Sequence, residues 1–209
     1  QPFLDVARFT ALEAERKTLQ TATEDQQARR NSLSRQIGQA KGKGGDAAAV
    51  PALMAEVNAI AEQMKQGAER LEALQAEMAQ MLMQKGLDHE AVVLERYRAE
   101  GRQVFVVPER EQRESHARWV ARVGDVLSVG HEVIFQMPFV HEGIRGVADF
   151  LERVGDSDGN VSYEPVDAKL ARKAAKPGHV LQLCFYAEAI GALTGRMPER
   201  VHIELGSGA

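Results

Sequence analysis

A single cysteine, Cys184, stands among the 209 residues of this chain. One thiol cannot close an intrachain disulfide, nor can it build a four-cysteine zinc or iron–sulfur site from this chain alone. Long apolar runs are missing too. None approaches the roughly 20 residues that a membrane-spanning helix needs, and the start carries no secretory signal. Positive charge is not in excess either: 26 Lys and Arg face 30 Asp and Glu, for a formal net charge of -4. No overall basic field therefore draws nucleic acid in, and any such binding must use local patches. The first residue is Gln1 rather than Met, as in a fragment, a processed product or an engineered piece. The expectation is a soluble, cytoplasmic chain with no membrane partner, long enough for one large or two small domains.

What is present divides into two unlike halves. From Phe9, residues three and four apart form a heptad series through Leu12, Arg16, Leu19, Thr23, Gln26, Arg30, Leu33 and Ile37. A second series runs through Leu53, Val57, Ile60, Met64, Gly67, Leu71, Leu74, Met78 and Met81. Both are coiled-coil seams. Between them Gly42, Gly44, Gly45 and Asp46 break helix and suit a tight connection, so residues 1–84 are predicted to form one antiparallel helical hairpin. The polar seam positions Arg16, Thr23, Gln26 and Arg30 weaken it but favour one register. Lys85-Gly86 interrupts the heptads, and a new helix is expected from Gly86 to Glu100, closed by Gly101.

This half resembles the long tRNA-binding arm of bacterial seryl-tRNA synthetase. The likeness is carried by Phe9-Thr-Ala-Leu-Glu-Ala-Glu-Arg-Lys17, by Arg29-Arg-Asn-Ser-Leu-Ser34 with Gln36-Ile-Gly38 behind it, and by Gly42-Lys-Gly44 at the tip. It implies a grip on the variable arm of tRNA by Arg29, Arg30, Arg35, Lys41 and Lys43, which lie in an acid-free stretch that can neutralise phosphates. Charge alone reads the same stretch as a solvated coiled-coil face. Nothing after Met83 resembles the synthetase catalytic domain with its arginine-bearing ATP motifs, so aminoacylation is not expected of this chain. The chain reads as a fusion of two unrelated modules, with the arm a rigid handle or, in the alternative, a tRNA-binding module.

The second half is organised around residues 143–186. Gly143 to Val154 and Val161 to Lys169 are rich in Val, Ile, Phe and Tyr, with Asp158-Gly159-Asn160 between them, a hairpin signal. Each strand carries a carboxylate, Asp149 and Asp167. Lys169 follows Asp167 by two and so shares its strand face. Two carboxylates and a backbone carbonyl between Asp167 and Lys169 suffice for a hard divalent cation, which keeps several waters, and the ammonium can steady charge developing on a phosphate. Glu164 points to the other face and makes a poor partner. Further strands are expected over 103–107, 131–140 and 201–205, with helices over 109–123 and 179–194. Gln182 and Tyr186 are one helical turn apart. His131, His141, His179 and His202 have no metal-ligand spacing and are read as structural.

Here the sequence resembles the RecB-like branch of the PD-(D/E)xK nucleases, which includes the CRISPR-associated exonucleases. Asp149 matches the first acid, Asp167-Ala168-Lys169 the (D/E)xK element, Gln182 with Tyr186 the QxxxY element, and Gly86-Leu-Asp-His89-Glu90 the helical motif that supplies a histidine ligand. The single cysteine departs from those members with an iron–sulfur cluster. The resemblance implies an α+β chain: a long antiparallel helical hairpin, then an α/β restriction-endonuclease-like core over residues 85–209. It implies a Mg2+- or Mn2+-dependent deoxyribonuclease in which a metal-activated water attacks the phosphodiester. Asp149, Asp167, Lys169 and Glu90 would be catalytic, with His89, Asp149 and Asp167 as metal ligands and Glu90 the second choice. Gln182, Tyr186, Arg172 and Lys173 would hold DNA, flanked by Arg145 and Lys176. An imidazole ligand favours Mn2+.

Overall fold

The computed structural model describes residues 5–42, 45–155, 162–170, 174 and 176–206. The expected turn Asp158-Gly159-Asn160, the tip residues Lys43 and Gly44, and Arg172 and Lys173 lie outside the described residues. The chain divides into two compact units, Gln1–Gln84 and Lys85–Ala209.

In the first unit, helix α1 spans Val6–Ala40 and starts on Asp5, whose carboxylate accepts from the Arg8 N–H at 2.8 Å. A 3-10 turn over Ala47–Ala49 leads into helix α2, Val50–Ala99. Pro51 falls in its first turn, where the N–H that proline lacks has no helical partner anyway. The two helices run antiparallel: Arg8 meets Glu77, Glu15 meets Arg70, Gln26 meets Gln63 and Arg29 meets Glu56. The partner's number falls as the first rises. Leu12, Leu33, Ile60, Leu74 and Met78 of the two predicted seams are buried. At the polar seam positions the Gln26 amide donates to Gln63 at 3.2 Å, and the Thr23 hydroxyl donates to the Leu19 carbonyl at 2.8 Å. A Cβ on Gly67 would stand 3.6 Å from that hydroxyl, so a small residue faces a polar one.

One expectation fails. Lys85-Gly86 does not interrupt α2, which continues to Ala99. A lone glycine inside a helix costs only about 1 kcal/mol relative to alanine, and good helix formers surround Gly86 on both sides. The end falls where expected: Gly101 has φ +79°, its N–H reaches the Arg98 carbonyl, and the Arg102 N–H reaches that of Tyr97. Left-handed backbone closes the helix without a Cβ clash.

The second unit is a five-stranded sheet ordered β1-β2-β3-β4-β5, with β1 at Val104–Val106, β2 at Val133–His141, β3 at Ile144–Val154, β4 at Ser162–Lys169 and β5 at His202–Leu205. The middle three are antiparallel, and each edge strand lies parallel to its neighbour. Glu142 and Gly143, with φ of 48° and 79°, make the tight turn between β2 and β3. Helices α3 (His116–Val123), α4 (Val126–Val129) and α5 (Pro177–Thr194) complete the unit. The helix expected from Glu109 begins only at His116, because Ser115 caps it by accepting from the Arg118 N–H. The Glu114 carboxylate meanwhile takes the Glu111 N–H and pairs with Arg122.

Strand alternation sends successive residues to opposite faces. Val133, Phe150 and Val166 pack against Val93 and Tyr97 of α2. Ile134, Leu151 and Tyr163 pack with Trp119 of α3 and Leu183 and Ile190 of α5. A sheet covered on both faces accounts for strands that read as nearly continuous apolar runs.

Candidate active site

The β3–β4 ladder runs from Val154 paired with Ser162 to Phe150 paired with Val166. One step further, Asp149 comes level with Asp167, and the ladder opens. There the Asp149 carboxylate itself accepts the Ala168 N–H, at 2.9 Å. The ladder to β2 is broken at the same level: Phe135 pairs with Phe150 and Met137 with Ala148, but Gln136 between them is left out. Asp149 thus sits where both neighbouring strands let go of β3.

Asp167 is fully buried. Its Oδ1 accepts from the Lys169 ammonium at 2.7 Å, and its Oδ2 has no partner. A buried carboxylate oxygen without a donor costs free energy unless something else binds it. Burial opposes the Lys169 charge, but the bond to Asp167 and the charges of Asp167 and Asp149 outweigh it and raise the ammonium's pKa. The Asp149 carboxyl is pushed up to about 7, first by burial, then by the charge of Glu90 and less by Asp167, against the Ala168 N–H and Lys169. Glu90, on α2, is raised first by burial and also by Asp167, while Lys169 and the Gln136 amide hold it down. That amide donates to Glu90 Oε2 at 2.6 Å.

On α5 the Gln182 amide donates to the Tyr186 hydroxyl at 2.5 Å. Burial first, then the charges of Asp149 and Asp167, raise the phenol's pKa, so its own proton stays in place. The structure therefore brings Asp149, Asp167, Lys169, Glu90 and Tyr186 into one electrostatic neighbourhood, with Gln182 bound to it through Tyr186. His89 is turned elsewhere: its Nε2 lies 3.3 Å from the Glu204 carbonyl. Glu164, as expected, faces away and pairs with His202 at 2.7 Å. Gln136 was missed by sequence reasoning; its only signal is a polar residue in the middle of the apolar run Val-Ile-Phe-Gln-Met-Pro-Phe-Val.

The donors suit a hard divalent cation. The partnerless Asp167 Oδ2 is an acceptor aimed at nothing in the protein, and the neighbouring donors are oxygens. Among the described residues no three His, Cys, Asp or Glu side chains close around one point, so a cation held here would need water or backbone oxygens besides the carboxylates. In the first unit, Arg30, Arg35 and Lys41 are exposed, whereas Arg29 is engaged by Glu56. No helix among the described residues is long and apolar enough to cross a membrane.

Residues 48–207 match the PD-(D/E)XK nuclease superfamily. The chain belongs to this superfamily. Residues 2–84 match the Seryl-tRNA synthetase N-terminal domain, so the two matched ranges overlap along α2. Among curated proteins, the Serine--tRNA ligase of Methylibium petroleiphilum is 65% identical over 83 residues, 40% of this chain and 18% of that protein. That of Leptothrix cholodnii is 63% identical over 83 residues, again 40% of this chain and 19% of the other. That of Cupriavidus necator is 48% identical over 127 residues, 60% of this chain and 29% of the other. The chain spans less than a third of the length of these relatives. No solved structure matches it.

Proposed function

We propose that residues 85–209 form a RecB-like deoxyribonuclease that hydrolyses DNA phosphodiester bonds with Mg2+ or Mn2+. The observation that supports it most is the Asp149–Asp167–Lys169 cluster at the opened ladder, with a buried carboxylate oxygen left over for a cation. Asp149 and Asp167 would hold the ion, joined by the Ala168 carbonyl and by His89 or Glu90. A bound divalent cation supplies charge neutralisation on the phosphate and acidifies water. The Lys169 ammonium, fixed by Asp167, stands ready to steady the negative charge that builds on the phosphoryl oxygens during attack. Tyr186 keeps its proton and can donate to a backbone phosphate, oriented by Gln182. Arg172 and Lys173 would extend this grip along the DNA.

The test compares wild type and Asp167→Ala on single- and double-stranded DNA with Mn2+. Loss of one of so few ligands should abolish cleavage; equal cleavage by the two proteins would defeat the reading.

A second reading concerns the first unit, which we take to be a rigid handle for the nuclease unless it binds RNA. The match over residues 2–84 and the exposed Arg30, Arg35 and Lys41 favour a tRNA-binding module, with Arg29 and Lys43 alongside. Such a module should retain a tRNA with a long variable arm and lose it steeply with added salt. A gel shift that does not discriminate this tRNA from one with a short variable arm removes the RNA reading.

A further inference from the structure

We infer that two copies of this chain pair through the outer face of α5, packed antiparallel across a two-fold axis near Cys184. Composition gives the first reason. Across the 18 residues of Pro177–Thr194 the only Asp, Glu, Lys or Arg is Glu188. A surface helix sets charged residues opposite its buried stripe, and a helix that is apolar all round is covered all round. Helix α3 follows the first pattern, with Arg118 and Arg122 exposed and Trp119 and Val123 buried. Helix α5 does not.

The sheet covers only one side of α5, where Leu183, Tyr186, Ala187, Ala189 and Ile190 are buried. On the other side Leu181 is 70% exposed and Val180 45%, and Cys184, Glu188 and Ala192 are exposed as well. Leu181, Cys184, Glu188 and Ala192 follow one another at three or four residues, so they form one stripe along the helix. Met197, 58% exposed, prolongs it: its Cα and sulfur would stand 3.2 Å from a Cβ on Gly191, the residue before Ala192.

The charges decide what covers this stripe. Nucleic acid would need cations there, and the single charge is negative. A second α5 fits. Glu188 lies toward the C-terminal end, whereas Lys176 stands exposed before the first turn, where the free N–H groups add partial positive charge. Parallel helices would set the two Glu188 carboxylates side by side. Antiparallel helices bring each Glu188 toward the Lys176 end of its partner, and a two-fold axis makes that contact twice. The midpoint between Lys176 and Glu188 falls at Gln182, within one turn of Cys184. Cys184, Gly191 and Ala192 are small, so two helices can approach to about 8–10 Å. An 18-residue helix is about 27 Å long, and one face of it offers a few hundred Å2, below the roughly 800 Å2 a side of a standard stable interface. The dimer is therefore reversible, with a dissociation constant in the micromolar range.

The test is sedimentation velocity of the full chain in reducing buffer, from about 1 to 200 µM. Wild type should pass from monomer to dimer across this range. Leu181→Glu, at a position too exposed to affect folding, should weaken association by about tenfold or more and leave the melting temperature unchanged. Glu188→Lys should weaken it by about threefold or more, because symmetry counts the charge contact twice. Adding Lys176→Glu should bring it back to within about twofold of wild type. Cys184 is the chain's one cysteine, so a short bismaleimide should join Cys184 to its copy across the dimer, and Leu181→Glu should prevent this. A wild type that stays monomeric at the highest concentration overturns the inference. So does a dimer undiminished by Leu181→Glu, which would place the contact elsewhere in the chain. Failure of the double variant to recover, or a dimer that the reagent does not join, refutes the antiparallel pairing and the inference with it.

Discussion

Asp167→Asn tests the site through stability rather than turnover. The substitution keeps the size and shape of the side chain and removes its charge. Asp167 is fully buried, satisfied on one oxygen by Lys169 and on the other by no protein group. An unsatisfied buried polar group costs about 1–3 kcal/mol, and the repulsion that raises Asp149 adds to the cost. Against this, the variant loses a charged partner for Lys169. That ammonium is partly exposed, however, and can turn to water. The amide leaves one buried polar group without a partner just as the carboxylate does, so what the variant gains is the removed repulsion with Asp149, and we expect Asp167→Asn to be at least as stable as wild type in EDTA. Excess Mn2+ should reverse the order. A ligand at about a hundred times its dissociation constant stabilises the native state by about 2.7 kcal/mol, which wild type gains and the variant largely forgoes. Differential scanning fluorimetry of the two proteins, with EDTA and with Mn2+, gives all four values. Asp167→Asn melting several degrees below wild type in EDTA would show that the carboxylate is a structural support and refute the reasoning.

Three further perturbations follow from the same geometry. Asp149 holds its proton more tightly folded, with a carboxyl at about 7, than unfolded, at its ordinary value of 3.8; its contribution is therefore complete below about pH 4 and is lost as pH rises through about 7. Urea denaturation in EDTA should show this decline in wild type and less of it in Asp149→Asn. Leu74→Ala empties a fully buried position between the two helices of the first unit and should cost about 2–5 kcal/mol, read as lost helical circular dichroism at a lower temperature, with the metal affinity of the second unit unchanged. Gly146→Ala would drive a Cβ into the Phe139 ring in the β2–β3 hairpin; overpacking of this kind costs about 1–3 kcal/mol, and a melting temperature equal to wild type would contradict so close an approach of ring and strand.

The coiled-coil half was legible because its rules are local and periodic. Heptad spacing picked out Leu12, Leu33, Ile60, Leu74 and Met78 before any partner was known, and all are buried. The misjudged boundary at Gly86 has the same origin. A glycine reads as punctuation, but its cost of about 1 kcal/mol is smaller than what a long run of good helix formers contributes. In the second unit the strands carrying Asp149 and Asp167 were visible from their β-branched and aromatic residues, whereas the start of α3 was displaced by a cap whose strength depends on what Glu114 does nearby. Gly101 was read correctly as a stop because its role needs only its own backbone.

The acid pair could be found by pattern because its spacing is imposed by chemistry: Lys169 must share a strand face with Asp167 to reach it. The contact between Gln136 and Glu90 follows no such period. Gln136 enters the site by breaking the rule for its own strand, with left-handed φ in the middle of β2 and a polar side chain in an apolar run. Its partner Glu90 is 46 residues away in sequence. Neither half of that contact is distinctive alone. Glu90 on its own reads as an acid near a helix start that is not there, since α2 continues through Gly86. Only the three-dimensional coincidence of an interrupted ladder, a strained residue and a half-buried carboxylate at the level of Asp149 distinguishes a supporting residue from an ordinary one. Local preference and native geometry disagree most plainly at Gln136, with its positive φ inside a strand, rather than at the acids that the sequence displays.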